Sequence, residues 1–106
     1  MAWVLLGLAG LFEICWVIGL KYSEGFTKPL WSAFTLVTLA VSMLLLGWAV
    51  KTLPIGTAYA VWTGIGAVGA ALLGMMLFSE SASLIRLGCI GLIVLGIVGL
   101  KLSSPT

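Results

Sequence analysis

The stretch AWVLLGLAGLFEICWVIGL, residues 2–20, decides the fold. It contains one formal charge, Glu13, and no proline. An α-helix rises about 1.5 Å per residue, so about 20 apolar residues cross the ~30 Å hydrocarbon core of a bilayer. The stretch is therefore predicted to be a transmembrane helix.

Three more apolar runs of similar length follow, at about 30–50, 55–78 and 84–102. Of the 106 residues, 62% are hydrophobic and only 8% are charged, whereas soluble domains carry about 25% charged residues. The connectors are short, which makes neighbouring helices antiparallel. The sequence predicts an all-α integral membrane protein, with four transmembrane helices in one domain over residues 1–106.

Glu13 is the only charge deep inside an apolar run. The other charged residues fall at or near the ends of the runs: Lys21, Glu24, Lys28, Lys51, Glu80, Arg86 and Lys101. A charge at bilayer depth costs several kcal/mol, so such residues usually mark the path of an ion or a proton. We therefore expect Glu13 to hold whatever the protein moves.

Composition argues against several other functions. The chain has no histidine, and its two cysteines, Cys15 and Cys89, lie inside apolar runs, where a thiol is usually a small apolar filler. The net charge of +2 is small and scattered, unlike the basic patch of a nucleic-acid-binding protein. We expect no metal, no cofactor, no nucleic-acid partner and no enzymatic reaction.

The basic residues give almost no orientation signal. Four spans place both termini and the second connector on one face, with Lys51 and Lys101, and leave Lys21, Lys28 and Arg86 on the other. The count of basic residues is compatible with two outcomes: the chain inserts into the membrane in one weakly favoured orientation, or it inserts in both orientations. Many secondary transporters consist of inverted repeats, and no internal repeat is visible here. An antiparallel homodimer would supply that symmetry and bring two copies of Glu13 together.

Four residues share a helix face with the carboxylate or lie next to it: Gly10, Glu13, Trp16 and Val17. We expect Gly10 to leave space beside Glu13, and the Trp16 indole N–H to need a partner when buried. Ser42 is the polar residue in the middle of the second span. Ser42 could line the site, or its hydroxyl could donate a hydrogen bond to a carbonyl of its own helix, as is common for serine in membrane helices.

The third span carries one stripe of Tyr59, Trp62, Gly66 and Gly69. These residues could form a binding site, to which they would contribute a hydroxyl, an indole N–H and two aromatic rings. They could equally be a packing surface, with the aromatic rings next to a close helix contact at the glycines. The fourth span has glycines but no internal acid or base. We therefore expect it to form a packing surface that contacts the second subunit of the dimer. These glycines are Gly88, Gly91, Gly96 and Gly99.

Taken together, these features resemble the small multidrug resistance family over the whole chain. The likeness rests on Glu13, Pro54, the run GTAYAVW at residues 56–62, Gly64 and Gly66. Within the family, the chain is most similar to the guanidinium exporter subtype. That likeness rests on Trp16, the run WTGIGAVGA at 62–70, Glu80-Ser81 and GLKL at 99–102.

The resemblance implies a multi-pass protein of the bacterial inner membrane that forms an antiparallel, dual-topology homodimer. It implies export of guanidinium in exchange for protons by alternating access, with Glu13 of both subunits binding cation and proton competitively. The residues implied to line the site or donate hydrogen bonds are Trp16, Ser42, Tyr59 and Trp62. Gly10, Gly64 and Gly66 are expected to serve conformation or packing.

Four other functions compete with this one, and one of them, a non-transporting partner subunit, would leave Glu13 without a role. A broad-specificity exporter of multidrug or quaternary ammonium cations is the nearest, and Trp16 argues against it by filling space. A dual-topology ion channel, such as a fluoride channel, needs no lone buried acid, and its asparagine-containing pore motif is missing because the chain has no asparagine. A rotor proteolipid of an ATP synthase usually has two spans.

Overall fold

A computed structural model describes residues 1–103 and contains four helices in that part of the chain. They are α1 (Ala2–Tyr22), α2 (Pro29–Ala49), α3 (Ile55–Leu77) and α4 (Leu84–Ser103). All four are long and apolar enough to cross a membrane. The prediction of an all-α protein with four membrane-spanning helices is confirmed.

The helix boundaries follow local chemistry. Pro29 occupies the first turn of α2 and Pro54 directly precedes α3, positions where the missing N–H of proline costs nothing. After α1, the buried Ser23 hydroxyl donates to the Leu20 carbonyl at 2.7 Å and accepts from the Phe26 N–H at 3.1 Å. The chain can therefore reverse direction within a compact first connector.

Helix α1 packs against both α2 and α3, and α3 also packs against α4. Helices α2 and α3 touch through Ser42 and Trp62, and Lys101 of α4 reaches the Trp3 ring of α1. The Cα atoms extend over 43 × 34 × 16 Å. The Cα atoms of one α-helix lie on a cylinder about 4.6 Å across, so a thickness of 16 Å accommodates helices at more than one depth. Large apolar side chains remain exposed on all four helices, among them Leu11, Leu44, Leu72 and Leu95.

The buried apolar residues lie on the first three helices and on the connector between α2 and α3. They are Leu6, Ala9, Ala49, Leu53, Ala58, Val61 and Trp62. Helix α4 contributes no buried residue. Its four glycines have no atom within 4 Å of the position that a Cβ would take. The packing surface expected on α4 is therefore unused within one chain.

Candidate functional site

Glu13 lies on α1 where this helix crosses α3, and only 6% of the residue is exposed. The crossing is close because α3 presents Gly66 to the carboxylate. A Cβ built on Gly66 would lie 2.2 Å from Glu13 Cγ and 3.0 Å from Glu13 Cδ. Any larger residue at position 66 must therefore displace the Glu13 side chain.

Trp16 holds one oxygen of this carboxylate. Its indole Nε1 donates a hydrogen bond to Glu13 Oε1 from the next turn of the same helix. Among the described residues, no hydrogen bond reaches the other oxygen, Oε2. The carboxylate is thus oriented by one fixed donor and keeps acceptor capacity for another.

Ser42 joins three helices. Its hydroxyl donates to the Ala9 carbonyl of α1 at 2.7 Å and accepts from Trp62 Nε1 of α3 at 2.8 Å. The expected alternative, a bond back to its own helix, is wrong here because the hydroxyl is fully buried against α1. In an α-helix the Ala9 carbonyl also serves the Glu13 N–H, four residues on. Ser42 therefore fixes the turn of α1 that leads into Glu13.

Tyr59 lies beside Trp62 on α3. The two ring centroids are 5.7 Å apart with a tilt of 46°, but Tyr59 is 55% exposed while Trp62 is 7% exposed. Within residues 1–103, the Tyr59 hydroxyl has no hydrogen-bond partner. Its ring therefore forms the outer surface of the aromatic pair, on an open face of the helix bundle.

The glycines at this crossing receive side chains from the opposite helix. A Cβ on Gly10 would lie 2.6 Å from Ile65 Cγ2, so Ile65 fills the space that was expected to stay open beside Glu13. In the same way, a Cβ on Gly69 would lie 2.1 Å from Ile14 Cδ1. Gly64 instead faces α4, where its Cβ would lie 2.9 Å from Ile97 Cδ1.

Sequence reasoning missed Ile14, Ile65 and the Ala9 carbonyl. The two isoleucines could have been found, since each lies one residue from a position already on the predicted stripes and opposite a glycine. The role of the Ala9 carbonyl could not be predicted from the sequence, because every residue has a carbonyl. It accepts a hydrogen bond from Ser42 only because α2 packs against α1 at this point.

The chemistry available at the crossing is that of an acceptor for cations. It offers a buried carboxylate with one oxygen still open and two indole rings nearby, whose π faces attract positive charge. The described residues contain no group of three His, Cys, Asp or Glu side chains that could hold a metal ion. Binding at this site would therefore rest on one carboxylate and its aromatic neighbours.

Comparison with known proteins gives consistent relatives. Residues 1–101 match the model of a family described as Small Multidrug Resistance protein. The chain is 58% identical over 104 residues to proteins called Guanidinium exporter from Escherichia coli (strain K12) and Salmonella typhimurium, covering 98% of this chain and 99% of each relative. A Guanidinium exporter from Yersinia pseudotuberculosis is 61% identical over 104 residues and is covered completely.

These matches extend across all four helices and include the crossing of α1 and α3. The relatives are bacterial and are covered over 99–100% of their length, and the four helices of this chain can each span a membrane. The chain belongs to the small multidrug resistance family and is a multi-pass protein of the bacterial inner membrane.

Proposed function

We propose that this protein is a transporter, not an enzyme, that exports guanidinium ion in exchange for protons. The observation that carries the proposal is the buried Glu13 carboxylate, held by the Trp16 indole against Gly66 with one oxygen open. Relatives at 58–61% identity that bear the name Guanidinium exporter support the choice of cargo.

The cargo matches this acceptor chemically. Guanidinium is planar, permanently charged and rich in N–H donors, which a carboxylate accepts in pairs. A proton neutralises the same carboxylate and removes its attraction for the cation. Cation and proton therefore compete for Glu13, and this competition gives antiport when the site opens to one side of the membrane at a time.

The neighbouring residues have separate tasks in this mechanism. Trp16 orients the carboxylate and narrows the space around it. Ser42 and Trp62 hold α1, α2 and α3 together near the acid. Tyr59 offers an exposed ring and hydroxyl to whatever covers the open face. Together they favour a small cation with several N–H donors.

The working unit in this proposal is an antiparallel homodimer. Tyr59 and many large apolar side chains stay exposed in one chain, and α4 has no buried residue. A second, inverted copy would cover the open face and bring a second Glu13 to a shared cavity. The chain has two basic residues on one membrane face and three on the other, and this small difference is compatible with insertion in both orientations.

Single cysteines introduced in the first and second connectors test this arrangement. Because the two connectors lie on opposite faces of one chain, dual topology requires that a membrane-impermeant reagent labels both from outside the cell. Labelling of only one of them would restrict the chain to a single orientation and overturn the antiparallel dimer.

Proteoliposomes test the transport itself. Addition of guanidinium to one side should drive proton release on that side with the native protein, and Glu13→Gln should abolish the exchange while the helical content stays unchanged. Glu24→Gln, at an exposed carboxylate of the first connector paired with Lys28, is the matched control and should transport normally. Exchange that survives Glu13→Gln contradicts the proposed mechanism.

Cargo size separates this function from the broad multidrug alternative. The native protein should transport guanidinium much better than bulky quaternary ammonium cations, because the Trp16 indole occupies space next to the carboxylate. Trp16→Gly should weaken guanidinium exchange and admit larger cations. Good transport of bulky cations with poor transport of guanidinium by the native protein would support the alternative.

A further inference from the structure

A groove of about 420 Å³ runs between α1 and α3 toward the third connector, and we refer to it as the connector groove. Its walls are apolar and include Val17, Leu20 and Ala71. Its mouth is formed by Lys21 at the end of α1 and by Glu80 after α3. The volume falls within the ~300–1,000 Å³ of pockets that bind small molecules.

The mouth carries an alternating set of charges. Glu80 lies 3.5 Å from the Arg86 guanidinium, and the two side chains are 43% and 37% exposed. On the other side, Lys21 Nζ lies 5.5 Å from the centroid of the Phe78 ring. The contact between Glu80 and Arg86 is a long, partly exposed ion pair and therefore weak, so both groups can accept a new partner. Arg86 does not itself line the groove, and its Nη1 already donates to the Ser81 carbonyl at 2.7 Å, which leaves Nη2 for a phosphate.

The connector groove does not include the candidate cargo site. Val17 lies one helical turn (about 6 Å) beyond Glu13, and Ala70 lies one turn beyond Gly66. Neither Glu13 nor Gly66 lines the groove. Whatever binds there sits next to the cargo site without occupying it.

The position and the charges select the ligand class. The mouth lies at the ends of membrane-spanning helices, where lipid headgroups are found, and the apolar walls continue into the hydrocarbon region. Two basic groups and one acidic group attract a phosphate and an ammonium together, and their net positive charge repels a lone cation such as guanidinium. We propose that the connector groove binds a phospholipid with a phosphoethanolamine headgroup.

Each part of that lipid has a partner in the groove. The phosphate lies against Lys21 and Arg86, the ammonium donates hydrogen bonds to Glu80, and one acyl chain follows the wall of Val17, Leu20 and Ala71. A choline headgroup has no N–H to give Glu80, and a glycerol headgroup has no positive charge for it. The groove should therefore prefer phosphatidylethanolamine to phosphatidylcholine and phosphatidylglycerol.

Native mass spectrometry of the purified protein in detergent micelles tests this preference. Phosphatidylethanolamine, phosphatidylcholine and phosphatidylglycerol with identical acyl chains are added in equal amounts, and the lipid retained by each oligomeric state is measured. We expect phosphatidylethanolamine to dominate. Lys21→Gln and Glu80→Gln should each remove the preference, whereas Lys28→Gln and Glu24→Gln, on an exposed pair outside the groove, should preserve it.

A filled groove gives an independent test. Ala71→Leu keeps every charge at the mouth but occupies the wall, so it should reduce retention of all three lipids. Ala40→Leu, at an exposed position of α2 outside the groove, should not. Circular dichroism spectra of all variants should match that of the native protein.

Three results would overturn the proposal. Equal retention of the three lipids would show that the charges at the mouth do not select a headgroup. Release of phosphatidylethanolamine from the native protein by guanidinium chloride, but not by sodium chloride, would assign the groove to the cargo. Lipid retained by the monomer and excluded from the dimer would assign it to the second copy of the chain.

Discussion

The glycines of α3 and those of α4 differ in how completely a single chain packs them. Toward α1, the contact is close: Gly66 admits the Glu13 side chain, Gly69 admits Ile14, and a Cβ at either glycine would overlap the opposite helix. On α4, the glycines face open space and no residue is buried. Glycine therefore has two roles in this chain. On α3 it permits a close helix contact inside the subunit, and on α4 it leaves a surface on which another molecule can pack.

Of the substitutions considered, alanine at position 66 should have the largest effect on transport, because it disrupts the close contact between α1 and α3. The new Cβ would overlap Glu13 Cγ, and overpacking of this kind costs about 1–3 kcal/mol. Because the overlapping atom belongs to the candidate cargo site, Gly66→Ala should reduce guanidinium exchange to background in proteoliposomes. Gly47→Ala, at an open glycine of α2, is the matched control and should transport normally. Full exchange by Gly66→Ala would mean that Glu13 works from a different position.

Leucine on the open side of α4 should leave the single chain intact and disrupt the dimer. A Cβ at Gly88 or Gly99 has nothing packed within 4 Å, whereas a leucine there prevents the close approach that glycine allows between membrane helices. Cross-linking in vesicles should show fewer dimers, and exchange should fall with them. Gly47→Leu serves as the control on α2. Dimers that persist in both α4 variants would place the contact elsewhere.

Alanine at position 42 tests the join between the three packed helices. Ser42→Ala removes the hydrogen bond to the Ala9 carbonyl and leaves the buried Trp62 N–H without its acceptor. An unsatisfied buried donor costs about 1–3 kcal/mol, so the free energy of unfolding in detergent should fall by that amount. Ser32→Ala removes an exposed hydroxyl bonded to its own helix and should change this quantity little. Equal losses in the two variants would contradict a special role for Ser42.

The helices were predictable from sequence and the contacts between them only in part. Long apolar runs and prolines specify the spans through local rules, and the depth of Glu13 identifies the candidate site. The partner of Ser42 was not predictable, because its choice between its own helix and α1 depends on how closely two helices approach. The same holds for Gly10, whose space is filled by Ile65. Tyr59 and Trp62 share a stripe, yet their exposure differs because Trp62 packs against Ser42 of α2 while Tyr59 faces outward.

The smallest expected effect concerns the end of α4, where Lys101 Nζ lies 4.9 Å from the centroid of the Trp3 ring of α1. Lys101→Met keeps most of the side-chain stem and removes the charge, so the loss should match an exposed cation–π contact of about 0.5–1 kcal/mol. Thermal unfolding in detergent measures it. Lys51→Met is the matched control, since Lys51 lies on the same membrane face and its loss alters the orientation signal equally. A larger destabilisation by Lys101→Met than by Lys51→Met would assign the difference to the contact with Trp3. Equal values would mean that the charge of Lys101 adds nothing to the attachment of α4 to its own chain.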